Sequence, residues 1–326
     1  MTERRAHRRS QWRRDVWGIE HVPLVTPAQA ADLDRRARDA GVPEPVLMEA
    51  AGRAAAAVIA RNWPSGRIGV VAGSGNNGGD AVVVARTLHA WGRDVTLFAA
   101  GSSPPDVALL HGFDIRLSQD PIGASPFMFE AIVDGILGTG SRGEPRGRAA
   151  AAIAAMNAMG RPIAALDLPS GVDAGSGRVP GEAVRAALTI QFGWPKIGLF
   201  FQPARACCGR LLAVEIGFPP YVADGAESAA LITPDWASLR LPARKPDAHK
   251  GTAGRLLIVA GSQGMAGAAL IAVEAAYRAG AGLVRIASDP TNRIVLQTAV
   301  PEATFLDRDH LDAATAGNVH ALVAGP

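Results

Sequence analysis

The stretch Val70-Val71-Ala72-Gly73-Ser74-Gly75-Asn76-Asn77-Gly78-Gly79-Asp80 restricts the fold more than any other part of this chain. An apolar run breaks into a loop of glycines, asparagines and one aspartate, and a helix-like pattern follows from Ala81 to Trp91. Strand, glycine loop and helix in that order belong to parallel α/β folds. Glycine lets the backbone close round a ligand where a Cβ would clash. The helix start offers free N–H groups and the positive end of a dipole to an anionic group. Asp80 adds a carboxylate at the same place. The combination predicts a site for a phosphate-bearing small molecule with chemistry beside it.

Gly73, Gly75 and Gly78 also satisfy Gly-x-Gly-x-x-Gly, a pattern that says little alone. A redox dinucleotide domain needs an acid at the end of the next strand to hold the ribose. Here that strand reads Val95 to Ala100, and the nearest acid, Asp94, stands at its wrong end. Hydride transfer is therefore disfavoured. A purely structural turn would need less than Asn-Asn-Gly-Gly-Asp.

Ahead of this segment, Thr26-Pro27-Ala28-Gln29 predicts a capped helix start, with Pro27 at the first position and Gln29 completing a capping box. That helix runs to about Asp39, and a second spans roughly Glu44 to Asn62. Strands are expected at Ile68–Ala72, Val95–Ala99, Ala131–Asp134, Ile163–Asp167, Ala187–Gln191 and Leu211–Glu215. Helices are expected at Asp80–Trp91, Val107–His111 and Arg148–Met159. Apolar strands alternating with helices give a mostly parallel, Rossmann-like sheet with helices on both faces. A boundary falls near Ala223–Ala229, with a connector from Thr233 to Lys250. A second α/β unit follows: strand Leu256–Ala260, helix Ala266–Ala279, strand Leu283–Ala287, strand Ala321–Ala324. The division is thus a basic flexible arm over 1–24, a first domain over 25–222 and a second over 223–326, which reads as truncated.

The chain has 326 residues, 48% of them hydrophobic, enough for two packed cores. No run approaches the ~20 apolar residues of a membrane span. The N-terminus lacks the apolar core of a secretion signal, so a cytoplasmic protein is expected. The net charge of +3 reflects Arg4, Arg5, Arg8, Arg9, Arg13 and Arg14 ahead of the folded region. Such an arm is usually solvated, and nucleic acid is not the expected partner. The adjacent Cys207 and Cys208 form neither a metal site nor a disulfide framework.

Ligands of parallel sheets bind at the carboxyl ends of the strands. That rule brings three loops to one rim: Asn76–Asp80, Asp134–Glu144, and Asp167-Leu168-Pro169-Ser170-Gly171-Val172-Asp173. Converging carboxylates, amides, hydroxyls and carbonyls make an oxygen-rich pocket. It suits a hard cation or acid–base work on a polar substrate. Any one of these aspartates could instead cap loop N–H groups.

These motifs resemble the NAD(P)H-hydrate epimerase domain, also called the YjeF N-terminal domain. The resemblance rests on Gly73–Asp80, Asp134-x-x-x-Gly138-Thr139-Gly140 and Asp167-x-Pro169-Ser170-Gly171-Val172-Asp173. Leu47-Met48-Glu49-x-Ala51-Gly52 and Phe192-Gly193-x-Pro195-Lys196-x-Gly198-Leu199 fit too, so it covers about Val25 to Pro219. The remainder resembles the start of the ADP-dependent NAD(P)H-hydrate dehydratase domain, of ribokinase-like fold. It does so through His249-Lys250-Gly251-x-x-Gly254-Arg255, Gly261-Ser262-x-Gly264-Met265-Ala266-Gly267-Ala268 and Arg278-Ala279-Gly280-Ala281-Gly282-Leu283-Val284. Together they resemble a bifunctional nicotinamide-nucleotide repair enzyme.

The resemblance implies a substrate, NADH or NADPH hydrated at C6 of the nicotinamide ring. The epimerase interconverts its R and S forms, and the dehydratase consumes the S form using ADP. By the same resemblance Asn76, Asn77, Gly78, Gly79, Asp80, Gly138, Thr139, Gly140, Ser141, Arg142, Gly143, Glu144 and Asp167 line the substrate site. Ala268 belongs to the dehydratase substrate site. Asn77, Asp134 and Ser170 hold a potassium ion, and a homodimer is expected. Asp167 takes the acid–base role, with Asp80 orienting it or binding ribose, and Lys196 is a candidate phosphate contact. Ala81 stands where the family usually has glycine. The competing reading is a non-catalytic scaffold on the same fold.

Overall fold

A strand such as Ile68–Ala72 has no polar member and cannot leave one face to water. Burial on both faces requires a layer of helix above and below. The computed structural model describes residues 16–18, 23–103, 105–118, 129–219, 229–232, 234–241, 243–244, 246–312 and 319–325. It divides into two compact units after Trp236.

The first unit begins with β1 (Val16–Gly18), β2 (Pro23–Leu24), α1 (Pro27–Asp39) and α2 (Glu44–Asn62). The alternating part follows: β3 (Ile68–Ala72), α3 (Asn76–Ala90), β4 (Val95–Ala99), β5 (Arg116–Ser118), β6 (Ala131–Gly135), α4 (Gly147–Ala158), β7 (Ile163–Leu166), β8 (Leu188–Phe192), α5 (Ala204–Cys207) and β9 (Arg210–Val214). The sheet order is β1-β9-β8-β7-β6-β3-β4-β5, parallel except for β1 against β9.

Alternate residues of one strand feed different cores. Val70 and Ala72 of β3 pack with Leu47, Ala55 and Ile59 of α2 and Val84 and Leu88 of α3. Val71 and Ile132 pack on the other side with Ile153 and Met156 of α4. Helices therefore cover both faces, as the sequence pattern predicts. The capping box forms: the Gln29 N–H donates to Thr26 Oγ1, and Gln29 Oε1 accepts from the Thr26 N–H at 2.9 Å.

Several expectations are corrected. α3 starts at Asn76, four residues before Asp80, so the glycines are its first turn. They fit because a Cβ at Gly78 would stand 2.0 Å from the Gly73 carbonyl oxygen, and one at Gly73 would stand 2.0 Å from that of Ile136. A side chain at either position would clash with backbone, so glycine is kept there despite its poor helix propensity. The helix expected at Val107–His111 is a single 3-10 turn, Ala108–Leu110. The residues taken as a flexible arm include β1, which pairs with β9. The first unit also extends past residue 222, because β10 (Ala229–Ala230) pairs antiparallel with β2. Residues 1–15 and most of the expected boundary at Ala223–Ala229 lie outside the described residues.

The second unit holds β11 (Arg255–Val259), α6 (Ala266–Arg278), β12 (Leu283–Ser288), α7 (Arg293–Ala299), β13 (Thr304–Asp307) and β14 (Ala321–Ala324). Its sheet is parallel, in the order β13-β12-β11-β14. Ile258, Val284 and Ile286 pack against Val273 of α6 and Leu296 of α7. Here α7 and β13 form where the sequence reading placed no element. Among the described residues no helix is long and apolar enough to cross a membrane.

Helix α1 buries only Leu33 and Ala37. Leu33→Ala should cost about 2–5 kcal/mol and selectively raise amide exchange in α1. Chemical denaturation and hydrogen exchange measure the two effects, and an unchanged α1 would contradict this anchoring.

Candidate functional site

The carboxyl ends of β3, β6, β7 and β8 open into a cavity of about 1130 Å³, lined in part by Asn76, Asp80, Thr139, Asp167 and Lys196. That is at the upper end of small-molecule pockets and large enough for a dinucleotide.

Asp167 stands at its centre. It leaves β7 with φ +63°, the one non-glycine residue in left-handed backbone among the described residues. Its N–H still donates to the Ile190 carbonyl at 2.7 Å, which ties the turn to β8. A left-handed aspartate is uncommon and persists only where its surroundings fix it. Here they do. Asp167 Oδ1 accepts from the Phe192 N–H at 3.2 Å and from Lys196 Nζ, and Oδ2 accepts from Thr139 Oγ1 at 2.8 Å.

Lys196 is buried, 4% exposed, and also donates to the Phe192 carbonyl at 3.0 Å. Two of its three N–H donors are thus engaged by Asp167 and Phe192, while the side chain also lines the cavity. The parallel bridge between Val25 and Lys196 holds this segment, with the Val25 N–H donating to Pro195 and the Ile197 N–H donating to Val25, each at 2.9 Å.

Asp80 is placed differently. One helical turn after Asn76 on α3, it lines the cavity and takes no hydrogen bond from any described residue. Burial raises its pKa well above the usual carboxylate range, the Asp167 charge adds to the rise, and Lys196 opposes it. Asn76 donates to Glu44 at the start of α2.

A second polar cluster lies beneath. Asp134, at the end of β6, is fully buried. Its Oδ1 accepts from Ser170 Oγ at 2.6 Å and the Ile136 N–H at 3.2 Å, and Oδ2 accepts from the Ser170 N–H at 2.8 Å. Burial pushes its pKa up to about 6, against the lowering effect of those three bonds. Ser170 Oγ accepts from the Leu137 N–H at 2.9 Å. Asn77 donates to the carbonyls of Leu137 and Leu166, at 2.9 and 3.2 Å, and its Oδ1 is buried with no partner among the described residues. An orphaned buried oxygen is costly. Asn77, Asp134 and Ser170, linked through Leu137, offer only oxygen and one carboxylate, a donor set that fits a hard ion of low charge.

Most of the expected site residues meet in this cavity: Asn76, Asn77, Asp80, Gly138, Thr139, Gly140, Ser141, Arg142, Glu144 and Asp167 all line it. Gly78 and Gly79 are instead structural, set against the Gly73 backbone and the Met48 side chain. Gly143 occupies an exposed left-handed turn. Asp173 caps its own loop, accepting from the N–H groups of Gly175 and Ser176. Ala81 is fully buried against Gly135, away from the cavity lining, so its methyl group is harmless. Ala268 lies in the second unit, on α6. The sequence reading missed Asp34 and Arg38 of α1, Glu44 and Trp194, which also line the cavity. The spacing of Pro27, Ala31, Asp34 and Arg38, one turn apart on α1, was the available signal.

Comparison with known proteins follows the same division. Residues 44–198 match the family model of the YjeF-related protein N-terminus, and residues 256–326 match that of NAD(P)H-hydrate dehydratase. The chain is 40% identical over 253 residues to a bifunctional NAD(P)H-hydrate repair enzyme Nnr of Pyrobaculum aerophilum, covering 73% of this chain and 49% of the relative. It is 38% identical over 288 residues to the Nnr of Coxiella burnetii, covering 86% of this chain and 59% of the relative. The chain thus spans about half the length of the curated relatives it matches. The crystal structure of yeast YNL200c shares the fold of 65% of the chain, with a TM-score of 0.55 and 23% identity, and 96% of that protein is covered.

Asp80 provides a test of the site's electrostatics. Its folded pKa lies above the unfolded value, so stability falls as pH rises through the interval between them. Asp80→Asn should therefore raise stability at pH 8 and leave it unchanged at pH 3. Thermal melts at both pH values would show this, and equal shifts at the two would contradict it.

Proposed function

We propose, from this likeness to the bifunctional NAD(P)H-hydrate repair enzymes, that the first unit epimerises NADH or NADPH hydrated at C6 of the nicotinamide ring. The observation that carries the reading is one cavity holding both a hydrogen-bonded Asp167–Lys196 pair and an Asp80 side chain that takes no hydrogen bond from any described residue.

C6 of the substrate bears a hydroxyl and adjoins the ring nitrogen, which makes it a hemiaminal. Protonating the hydroxyl lets the nitrogen lone pair expel water and form an iminium. Water adding to the other face inverts the centre. The reaction needs proton donors and acceptors near C6 and little else. The hydrogen bonds support a division of labour between the two aspartates. Asp167, its oxygens engaged by Lys196, Thr139 and Phe192, positions those groups about the ring. Asp80, free of such bonds, moves the proton. A potassium ion at Asn77, Asp134 and Ser170 would supply positive charge that holds the β6 and β7 loops together. The Asn76 end of α3 and Gly138–Glu144 would enclose the nucleotide.

The dehydratase reaction, with ADP, is proposed only for the whole bifunctional protein, and no residue of the second unit is assigned to it beyond Ala268. A homodimer is proposed on the resemblance alone.

The deciding experiment incubates the protein with (R)-NADHX in potassium buffer without ADP and follows the S epimer by chromatography. Acceleration over the spontaneous background is expected. Its absence from folded protein would favour a binding role. Asp80→Asn should lower turnover by about 10²–10⁴-fold with KM little changed, whereas Asp167→Asn, which leaves the buried Lys196 without its partner, should lower turnover and stability together.

Two further outcomes are expected. Turnover in the wild type should fall as pH rises past the pKa of Asp80, because the donor must be protonated. Asn77→Ala, or exchange of potassium for lithium, should lower both melting temperature and activity. Retained thermal response to potassium in Asn77→Ala would remove this residue from the cation site.

A further inference from the structure

Helix α1 carries three acids. Asp32 pairs with Arg35 and Arg36, and Asp39 pairs with Arg35 at 3.4 Å. Asp34 is different. It is half-buried, faces the cavity and takes no hydrogen bond from any described residue. Burial raises its pKa, and the nearby charges of Lys196 and Asp167 act on it in opposite directions. A partly desolvated acid with no donor is retained against a cost, while its neighbours on the same helix each have an arginine.

Asp34 and Asp80 reach the cavity by different routes along the chain. The chain enters α1 directly from Val25, which is bridged to Lys196 just after β8. Asp80 arrives on α3, which follows β3. In the sheet, β8 and β3 are separated by β7 and β6, with Asp167 at the end of β7. Asp34 and Asp80 thus line one cavity from two different helices, Asp167 and Lys196 act on both, and the Asp34 charge reaches Asp80.

We propose that Asp34 is the second acid–base residue of the epimerase, serving the face of C6 opposite the one served by Asp80. This assignment rests on the epimerase reading. Inversion through an iminium needs proton transfer on both faces. On one face a protonated aspartic acid gives its proton to the C6 hydroxyl, the C–O bond breaks with its electron pair going to oxygen, and water leaves. The ring becomes an N1=C6 iminium and the aspartate a carboxylate. On the other face a water molecule adds to C6 and gives its proton to the second aspartate. Atoms and charge balance, and the reverse reaction uses the same residues in exchanged roles.

The test separates loss of the hydroxyl from inversion. Each NADHX epimer is incubated in H₂¹⁸O with wild type, Asp34→Asn and, as a control on the outer face of the same helix, Asp32→Asn. Oxygen exchange at C6 and epimer ratio are read together by chromatography and mass spectrometry. Wild type and Asp32→Asn should incorporate label as they epimerise. Asp34→Asn should epimerise at least 100-fold more slowly, the low end of the effect of a general acid–base. It should still exchange label with retained configuration in one epimer, the one whose hydroxyl faces Asp80, and KM should stay close to wild type. A merely structural role would lower exchange and inversion together. The proposal is overturned if Asp34→Asn epimerises within a few-fold of wild type, or loses exchange in both epimers alike. It is also overturned if wild type inverts without taking up label, which would indicate ring opening. If wild type accelerates neither process, the epimerase reading itself fails and this assignment falls with it.

Discussion

The buried pair between Asp167 and Lys196 is the interaction on which the rest of the site depends. Each member is almost fully removed from water, and a charge so placed needs its partner. The pair joins the end of β7 to the segment after β8, and through the Val25 bridge it reaches the start of α1. It also explains the left-handed backbone at Asp167. Only that turn lets one carboxylate meet Lys196 and the Phe192 N–H with one oxygen and Thr139 with the other. Removing either partner would leave a buried charge, so the strained turn and the ion pair hold each other in place.

The lower cluster completes the arrangement from the opposite direction. Asp134 is saturated by Ser170 and Ile136, while Asn77 gives both its donors and keeps an oxygen unmatched. The loops after β6 and β7 are therefore locked to each other through Ser170 and Leu137, and α3 is locked to both through Asn77. Thr139, which touches Asp167, lies only two residues beyond Leu137 in the locked loop. Any ion held by the orphaned oxygen would therefore be coupled to the upper site through this backbone.

Much of the fold was legible in the sequence because it is parallel α/β. Strands buried on both faces show as apolar runs, and Ile68–Ala72 and Val95–Ala99 form with the expected bounds; Ala321–Ala324 also forms as expected, although its residues are exposed. The capping box at Thr26 is equally local and equally readable. The start of α3 was not, because Gly78 and Gly79 argue against helix until their contacts with Gly73 and Met48 are known. The rim rule brought Asp80, Asp134 and Asp167 together correctly. It could not show that Lys196 turns inward, since nothing in Pro-Lys-Ile-Gly distinguishes a surface lysine from a buried one. Asp34 was hidden for the opposite reason. It sits among Arg35, Arg36 and Arg38 in a helix whose acids otherwise look like solvent-facing ion pairs.

Two acids near one cavity, Asp34 and Asp80, share a property that a fold selected for stability alone would remove. Both have raised pKa values chiefly because of burial, and neither is given a donor. Asp167 links them electrostatically, since its charge raises both while Lys196 lowers both. Burial is the largest cause of the rise in both. In the proposed reaction the first event on binding is proton donation from whichever acid faces the hydroxyl. Donation leaves a carboxylate beside a cationic iminium, an ion pair that favours the intermediate. The second acid must lose its proton before it can accept one from the incoming water, and the iminium charge, by favouring carboxylates nearby, promotes that loss. The same desolvation that makes these residues a burden on the fold thus couples the protonation of each face to the charge that appears on the ring.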